Sequence, residues 1–166
     1  MREERGLSVA VLICLLASLL AFAQSGAAVL GADEIKKIVP AAFFFRGQSA
    51  PVQLRNSVGF KTGDKFVLAG LVDTSGYSSG IREKYQGFLI TEVKLDIEGS
   101  SLGPGQYGFG FKDGKFLVMD VGSNDVLSVE SHHDEQLQRA VPLKMLSEQG
   151  SYKLYAGKNW IGIKAQ

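Results

Sequence analysis

Gly103 to Gly122 reads GPGQYGFGFKDGKFLVMDVG, two apolar runs separated by Asp113-Gly114. A two-residue type I′ turn needs positive φ at both central positions, which Asp and Gly tolerate, so the stretch predicts a β-hairpin. The turn sets the register. Lys112 then faces Lys115, Phe111 faces Phe116, Gly110 faces Leu117, Phe109 faces Val118, Gly108 faces Met119 and Tyr107 faces Asp120. Opposed residues share a face, so Tyr107, Phe109, Phe111, Phe116 and Val118 make a core face. The reverse face carries Leu117, Met119 and Val121 beside the bare Gly108 and Gly110. Glycine within a strand marks a bulge, a bend or a close approach. The pair makes either a shallow ligand floor or, the favoured reading, a barrel corner or a gap filled by a neighbouring side chain.

Working outward, Tyr85–Glu98 (YQGFLITEVKLDIE) predicts one long strand. Its second half alternates, with Val93, Leu95 and Ile97 inward against Glu92, Lys94 and Asp96 outward. Lys65–Thr74 is apolar at nearly every position, which places it centrally. Val52–Lys61 precedes it across Thr62-Gly63-Asp64. Ala41–Phe45 contains three consecutive phenylalanines and suits a strand covered on both faces. Asp33–Val39 fits a short helix ended by Pro40. Downstream, Asp125–Glu130 and Val141–Leu146 read as strands around a polar loop, Ser131–Ala140. Ser151–Tyr155 and Asn159–Lys164 form a last hairpin. The expectation is an all-β fold: a single antiparallel β-barrel-like or β-sandwich domain of about 8–10 short strands over residues 41–166, after a flexible lead-in over 24–40. Recurrent strand glycines (Gly70, Gly87, Gly108, Gly110, Gly162) incline the reading toward barrel-like closure.

The 166 residues are 45% hydrophobic and 21% charged, which supports one domain with its own core. The formal net charge of +1 gives no ground for a nucleic-acid partner. Residues Leu7–Ala23 (LSVAVLICLLASLLAFA) follow a charged start and end in Ala21-Phe22-Ala23, which reads as a secretory signal peptide cleaved near Ala23. A retained anchor is the alternative, since the run approaches the ~18 residues that span a bilayer. The expected localisation is therefore exported, periplasmic or secreted, touching membrane only through this segment before cleavage. Cys14 is the sole cysteine and lies within that run. The mature domain is thus expected to lack disulfides, thiolate metal sites and a cysteine nucleophile.

Leu71-Val72-Asp73-Thr74-Ser75-Gly76 is similar to the aspartic-protease phrase, but its glycine comes one place late and the chain has no second copy to share a proton. The alternative is a strand end whose Asp73 and Thr74 bond local backbone. His132-His133-Asp134-Glu135 offers metal-ligand chemistry, yet adjacent residues on extended backbone point opposite ways and do not chelate together. No nucleophile elbow or phosphate-cradling loop is present. The sequence therefore nominates no catalytic residue, cofactor or metal. The best candidate for recognition is the Ser/Gly-rich segment 75–85, which concentrates Tyr77, Arg82 and Tyr85, residue types that bind sugars, carboxylates and partners.

Val93-x-Leu95-x-Ile97-x-Gly99-x-x-Leu102-x-Pro104-Gly105-x-Tyr107, with FFFRGQSAPVQLRNS and LVDTSGYSSGIREKYQGFLITEV around it, resembles small exported bacterial β-proteins of uncharacterised function. The resemblance implies export and a small β fold, and carries over no functional residue. The expected function is a non-catalytic binding domain for a small, partly apolar ligand or a cell-envelope component. The alternative is a structural module that pairs with an envelope protein through a sheet edge or the 75–85 loop.

Overall fold

The computed structural model describes residues 28–166. The apolar segment Leu7–Ala23, its cleavage site and Cys14 lie outside the described residues. In chain order the elements are β1 (Ala28–Val29), α1 (Ala32–Ile38), β2 (Ala42–Phe45), β3 (Gln48–Thr62), β4 (Lys65–Val72), α2 (Ser79–Arg82), β5 (Gly87–Thr91), β6 (Leu95–Ile97), β7 (Ser100–Leu102), β8 (Gly105–Lys112), β9 (Lys115–Met119), β10 (Asp125–Glu130), β11 (His132–His133), β12 (Val141–Glu148), β13 (Ser151–Gly157) and β14 (Asn159–Ala165).

The strands form two sheets with antiparallel pairing throughout. The larger runs β1-β3-β4-β5-β8-β9-β10, with β2 also on β3; the smaller runs β12-β13-β14-β6-β7, with β11 also on β14. The fold is all-β and sandwich-like, and the sheets do not close into a barrel. The expectation of closure rested on strand glycines, and these serve close packing instead. A Cβ on Gly70 would sit 2.5 Å from the Phe88 ring, and one on Gly108 would sit 2.5 Å from the Phe45 ring.

Between the sheets lies the first core, built from Phe60, Val67, Leu89, Phe109, Phe116 and Val118 of the larger sheet and Leu95, Ile97, Leu154, Ile161 and Ile163 of the smaller. A second core covers the other face of the larger sheet. There Ile35, Phe43, Phe45, Tyr77, Ile81 and Tyr85 pack on Leu68, Val72, Phe88 and Met119. β4 is consequently buried on both faces, as its unbroken apolar run requires. α1 belongs to this layer. Acidic residues occupy its first turn and basic ones its last, matching the helix dipole. It ends before Pro40 because Val39 is held extended. Residues 28–40, read from sequence as a lead-in, are thus part of the packed unit.

The central hairpin has the expected register from Lys112↔Lys115 to Gly108↔Met119. Asp113 and Gly114 take φ of 51° and 74°, the type I′ geometry. The same pair of positive φ values recurs at Arg46-Gly47, Glu98-Gly99 and Gln149-Gly150, each a two-residue link between paired strands. Phe109, Phe111, Phe116 and Val118 are buried in the first core, with Tyr107 packed at its margin. On the reverse face Gly108 admits the rings of Phe45 and Tyr85, and Gly110 admits the Lys84 carbonyl. The glycines make room for the second layer, so no open floor lies above them.

Two expectations fail instructively. Tyr85–Glu98 is not one strand. β5 belongs to the larger sheet and β6 to the smaller, with a corner at 92–94. The Thr91 hydroxyl donates to the Val93 carbonyl (2.6 Å) and accepts from the Val93 amide (3.2 Å), folding the backbone over. Glu92 turns aside to accept the Phe66 amide at 2.7 Å. The β6–β7 hairpin then pairs in the smaller sheet before the chain returns as β8, neighbour of β5. The second failure is Phe43-Phe44-Phe45. Phe43 and Phe45 are buried, whereas Phe44 is 57% exposed, because β2 has only one covered face.

Candidate functional site

The recognition segment folds inward. Tyr77 and Tyr85 are buried, while Arg82, on α2, is exposed. The Tyr85 ring stacks on Phe45 at 3.9 Å between centroids and meets Tyr77 edge-on at 5.2 Å. The Tyr77 hydroxyl donates to the carbonyls of Phe45 (2.9 Å) and Gln48 (3.1 Å), tying the segment to the β2–β3 turn. The structure brings the two tyrosines together as core anchors and leaves Arg82 apart from them.

Asp73 is exposed and accepts the Ser75 amide at 2.9 Å, a local turn bond that holds its carboxyl below the usual range. The histidines point opposite ways. His132, opposite Trp160 in the ladder, reaches Glu98 Oε2 at 3.2 Å on the outer face. His133, opposite Asn159, reaches Asn159 Oδ1 at 2.9 Å. Among the described residues no cluster of three or more His, Cys, Asp or Glu side chains is placed to hold a metal.

Concavity lies elsewhere. Residues of both sheets line a wide, open cleft of about 600 Å³, within the size range of small-ligand sites. The larger sheet and its connections contribute Gln53, Leu71, Val72, Thr74, Gln86 and Phe111; the smaller contributes Ala140, Val141, Pro142, Ala156, Gly157 and Asn159. Ala140, Ala156 and Gly157 add little side-chain volume to this lining. Both sheets are irregular here, β3 between Val52 and Ser57 and β12 between Val141 and Lys144. Such bulges bend strands and re-aim side chains. The β3 irregularity is pinned by Gln53, whose amide donates to the Val72 carbonyl (3.3 Å) and accepts from Asn56 (2.7 Å). Gln86 extends the ladder beyond β5 by pairing both ends of its amide with the backbone of Phe111 (2.9 and 3.0 Å). No lining side chain is ionisable.

A second hollow, about 260 Å³, lies on the outer face of the smaller sheet, where Asp96, Glu98, His132, Lys153, Trp160 and Lys164 meet. The Trp160 ring is already in use: His132 stacks on it at 4.3 Å between centroids, and the Lys153 ammonium lies 4.4 Å from its centre. Glu148, 2.7 Å from Lys153, holds that ammonium above the ordinary lysine range. These groups satisfy one another, and the cleft is the better candidate.

The cleft was not found by motif reading. Its residues come from separate segments and are ordinary in type; only Gly157 in the final turn and the small residues flanking it set that end of the chain apart. The fold and cleft define a class: an antiparallel β-sandwich with an open, uncharged cleft lined by residues of both sheets. In comparison with known proteins, no family model, no curated protein and no solved structure matches the chain.

Proposed function

We propose that this protein is a non-catalytic binding domain for a small, uncharged, partly apolar ligand, held in the cleft between the sheets. The observation that carries the reading is a wide, open cleft of about 600 Å³ lined from both sheets by apolar side chains and neutral amide and hydroxyl groups, none of them ionisable. Such lining takes up apolar surface and orients it with a few polar contacts. The leader-like sequence at residues 7–23 supports an exported site of action, with the ligand drawn from the cell envelope or its surroundings.

The test is native purification followed by organic extraction and mass spectrometry, on wild type and on Ala156→Phe. The wild type is expected to carry a stoichiometric small molecule. The variant, its cleft filled from the half-buried Ala156, is expected to fold and to lose it. Equal ligand on both proteins would sink the cleft assignment. A second reading, a protein-interaction module, draws support from β10, an edge strand of the larger sheet on which Val126 is 48% exposed. A co-purifying protein without a small molecule would favour it.

A further inference from the structure

We propose that the cleft selects a neutral molecule whose apolar body carries a carbonyl-type acceptor, met by the Asn159 Nδ2 group, and that His133 is the residue positioning that donor. The inference rests on the cleft being the binding site.

The face of Asn159 follows from alternation along β14. Ile161 and Ile163 are fully buried between the sheets, and Asn159 is in phase with them. It stands opposite Ala156 on β13, another cleft residue. On its other side it pairs with His133. The 2.9 Å contact joins His133 Nδ1 to Asn159 Oδ1. An amide oxygen only accepts, so the imidazole donates from Nδ1. We take this Nδ1–H tautomer, which turns the amide oxygen to His133. Nδ2 is left as the free end, and among the described residues it has no partner. A proton on Nε2 would instead let Nδ1 accept from Nδ2 and turn the oxygen to the cleft, and Asn159 side-chain shifts absent with the ketone would report that arrangement.

The other polar groups of the lining narrow the ligand further. Gln53 and Gln86 have both ends of their amides engaged with backbone or with Asn56. The Thr74 hydroxyl makes no hydrogen bond among the described residues and can give or accept one. A carboxylate or ammonium in the cleft would meet no counter-charge among the lining side chains to offset whatever water it sheds. A hydrocarbon would leave Nδ2 dehydrated and unpaired. A carbonyl oxygen satisfies it.

The test uses three probes of one ring size, cyclohexanone, methylcyclohexane and cyclohexanecarboxylate, followed by amide NMR of the full chain. Cyclohexanone is expected to shift the Asn159 side-chain resonances together with the Ala156 and Gly157 amides. Methylcyclohexane should shift the Ala156 and Gly157 amides alone. Cyclohexanecarboxylate should bind at least tenfold more weakly than the ketone. Asn159→Ala should weaken cyclohexanone about tenfold and spare methylcyclohexane. His133→Ala should weaken the ketone about threefold, and His133→Gln, which keeps a donor, should restore it. If no probe moves the cleft amides, the cleft reading falls and the inference with it. If probes enter but the Asn159 side chain is unmoved, or both variants affect ketone and hydrocarbon alike, the cleft stands and the assignment of Asn159 and His133 is overturned. Should Asn159→Ala fail to fold, the wild-type side-chain shift with ketone against hydrocarbon decides alone.

Discussion

Tyr77 and Tyr85 show how one residue type takes two roles within a few ångströms. The Tyr77 hydroxyl ties two backbone carbonyls. The Tyr85 hydroxyl is buried and has no partner among the described residues. Removing a bonded buried hydroxyl strands its acceptors, whereas removing an unbonded one relieves a desolvated group. Tyr77→Phe is therefore expected to lower unfolding stability by about 1–2 kcal/mol. Tyr85→Phe should leave it unchanged or raise it. Urea denaturation of both variants checks the pair, and a larger loss in Tyr85→Phe would contradict the account. Residues 75–85 set aromatic and basic side chains in a Ser/Gly-rich stretch, a composition shared by binding loops and by loops that anchor themselves. What separates the two is the bare Gly108 on a distant strand, which opens the space that the Tyr85 and Phe45 rings fill.

Among the elements, the corner at Thr91 to Val93 decides the topology. Its hydroxyl holds both polar groups of one peptide neighbour, and Thr91 is only 3% exposed. Thr91→Val keeps the shape and removes the oxygen, leaving the Val93 amide and carbonyl without that partner. A loss of about 1–3 kcal/mol is expected, read by thermal or urea unfolding. Thr91→Ser, which keeps the hydroxyl, should recover part of it. The contrast between this corner and the central hairpin explains what was legible in the sequence. Asp113-Gly114 encodes its turn in two adjacent residues and therefore fixes the register of everything flanking it. The corner depends on Phe66, in another strand, and the apolar alternation of Val93, Leu95 and Ile97 begins directly beyond Thr91, with no glycine or proline to mark the break. The cleft is harder still to read, because Leu71, Phe111, Ala156 and Asn159 become neighbours only after both sheets have formed.

For the whole molecule, two apolar layers flank the larger sheet; Tyr77, Tyr85 and Tyr152 pack within them, and Tyr155 is buried beside Trp160 on the smaller sheet. Burial holds the phenols of Tyr77, Tyr85, Tyr152 and Tyr155 above their ordinary range. A phenol raised in the folded state contributes stability that is complete below its unfolded value, about 10, and fades as pH climbs through the folded value. Alkaline titration is therefore expected to release these tyrosinates together with loss of near-ultraviolet circular dichroism, at a pH above 10. Gradual ionisation within an intact fold would contradict it. The excursion of β6 and β7 out of the larger sheet carries a consequence for synthesis. A chain emerging amino end first completes every strand of the larger sheet by Glu130. The β6–β7 hairpin has already been made by then, yet its hydrogen-bonding neighbour β14 comes last. Until β12, β13 and β14 have been made, the inner face of the larger sheet lacks most of the side chains that cover it. A product truncated before β12 is expected to present that side to solvent, which proteolysis of such a fragment against the full chain would read.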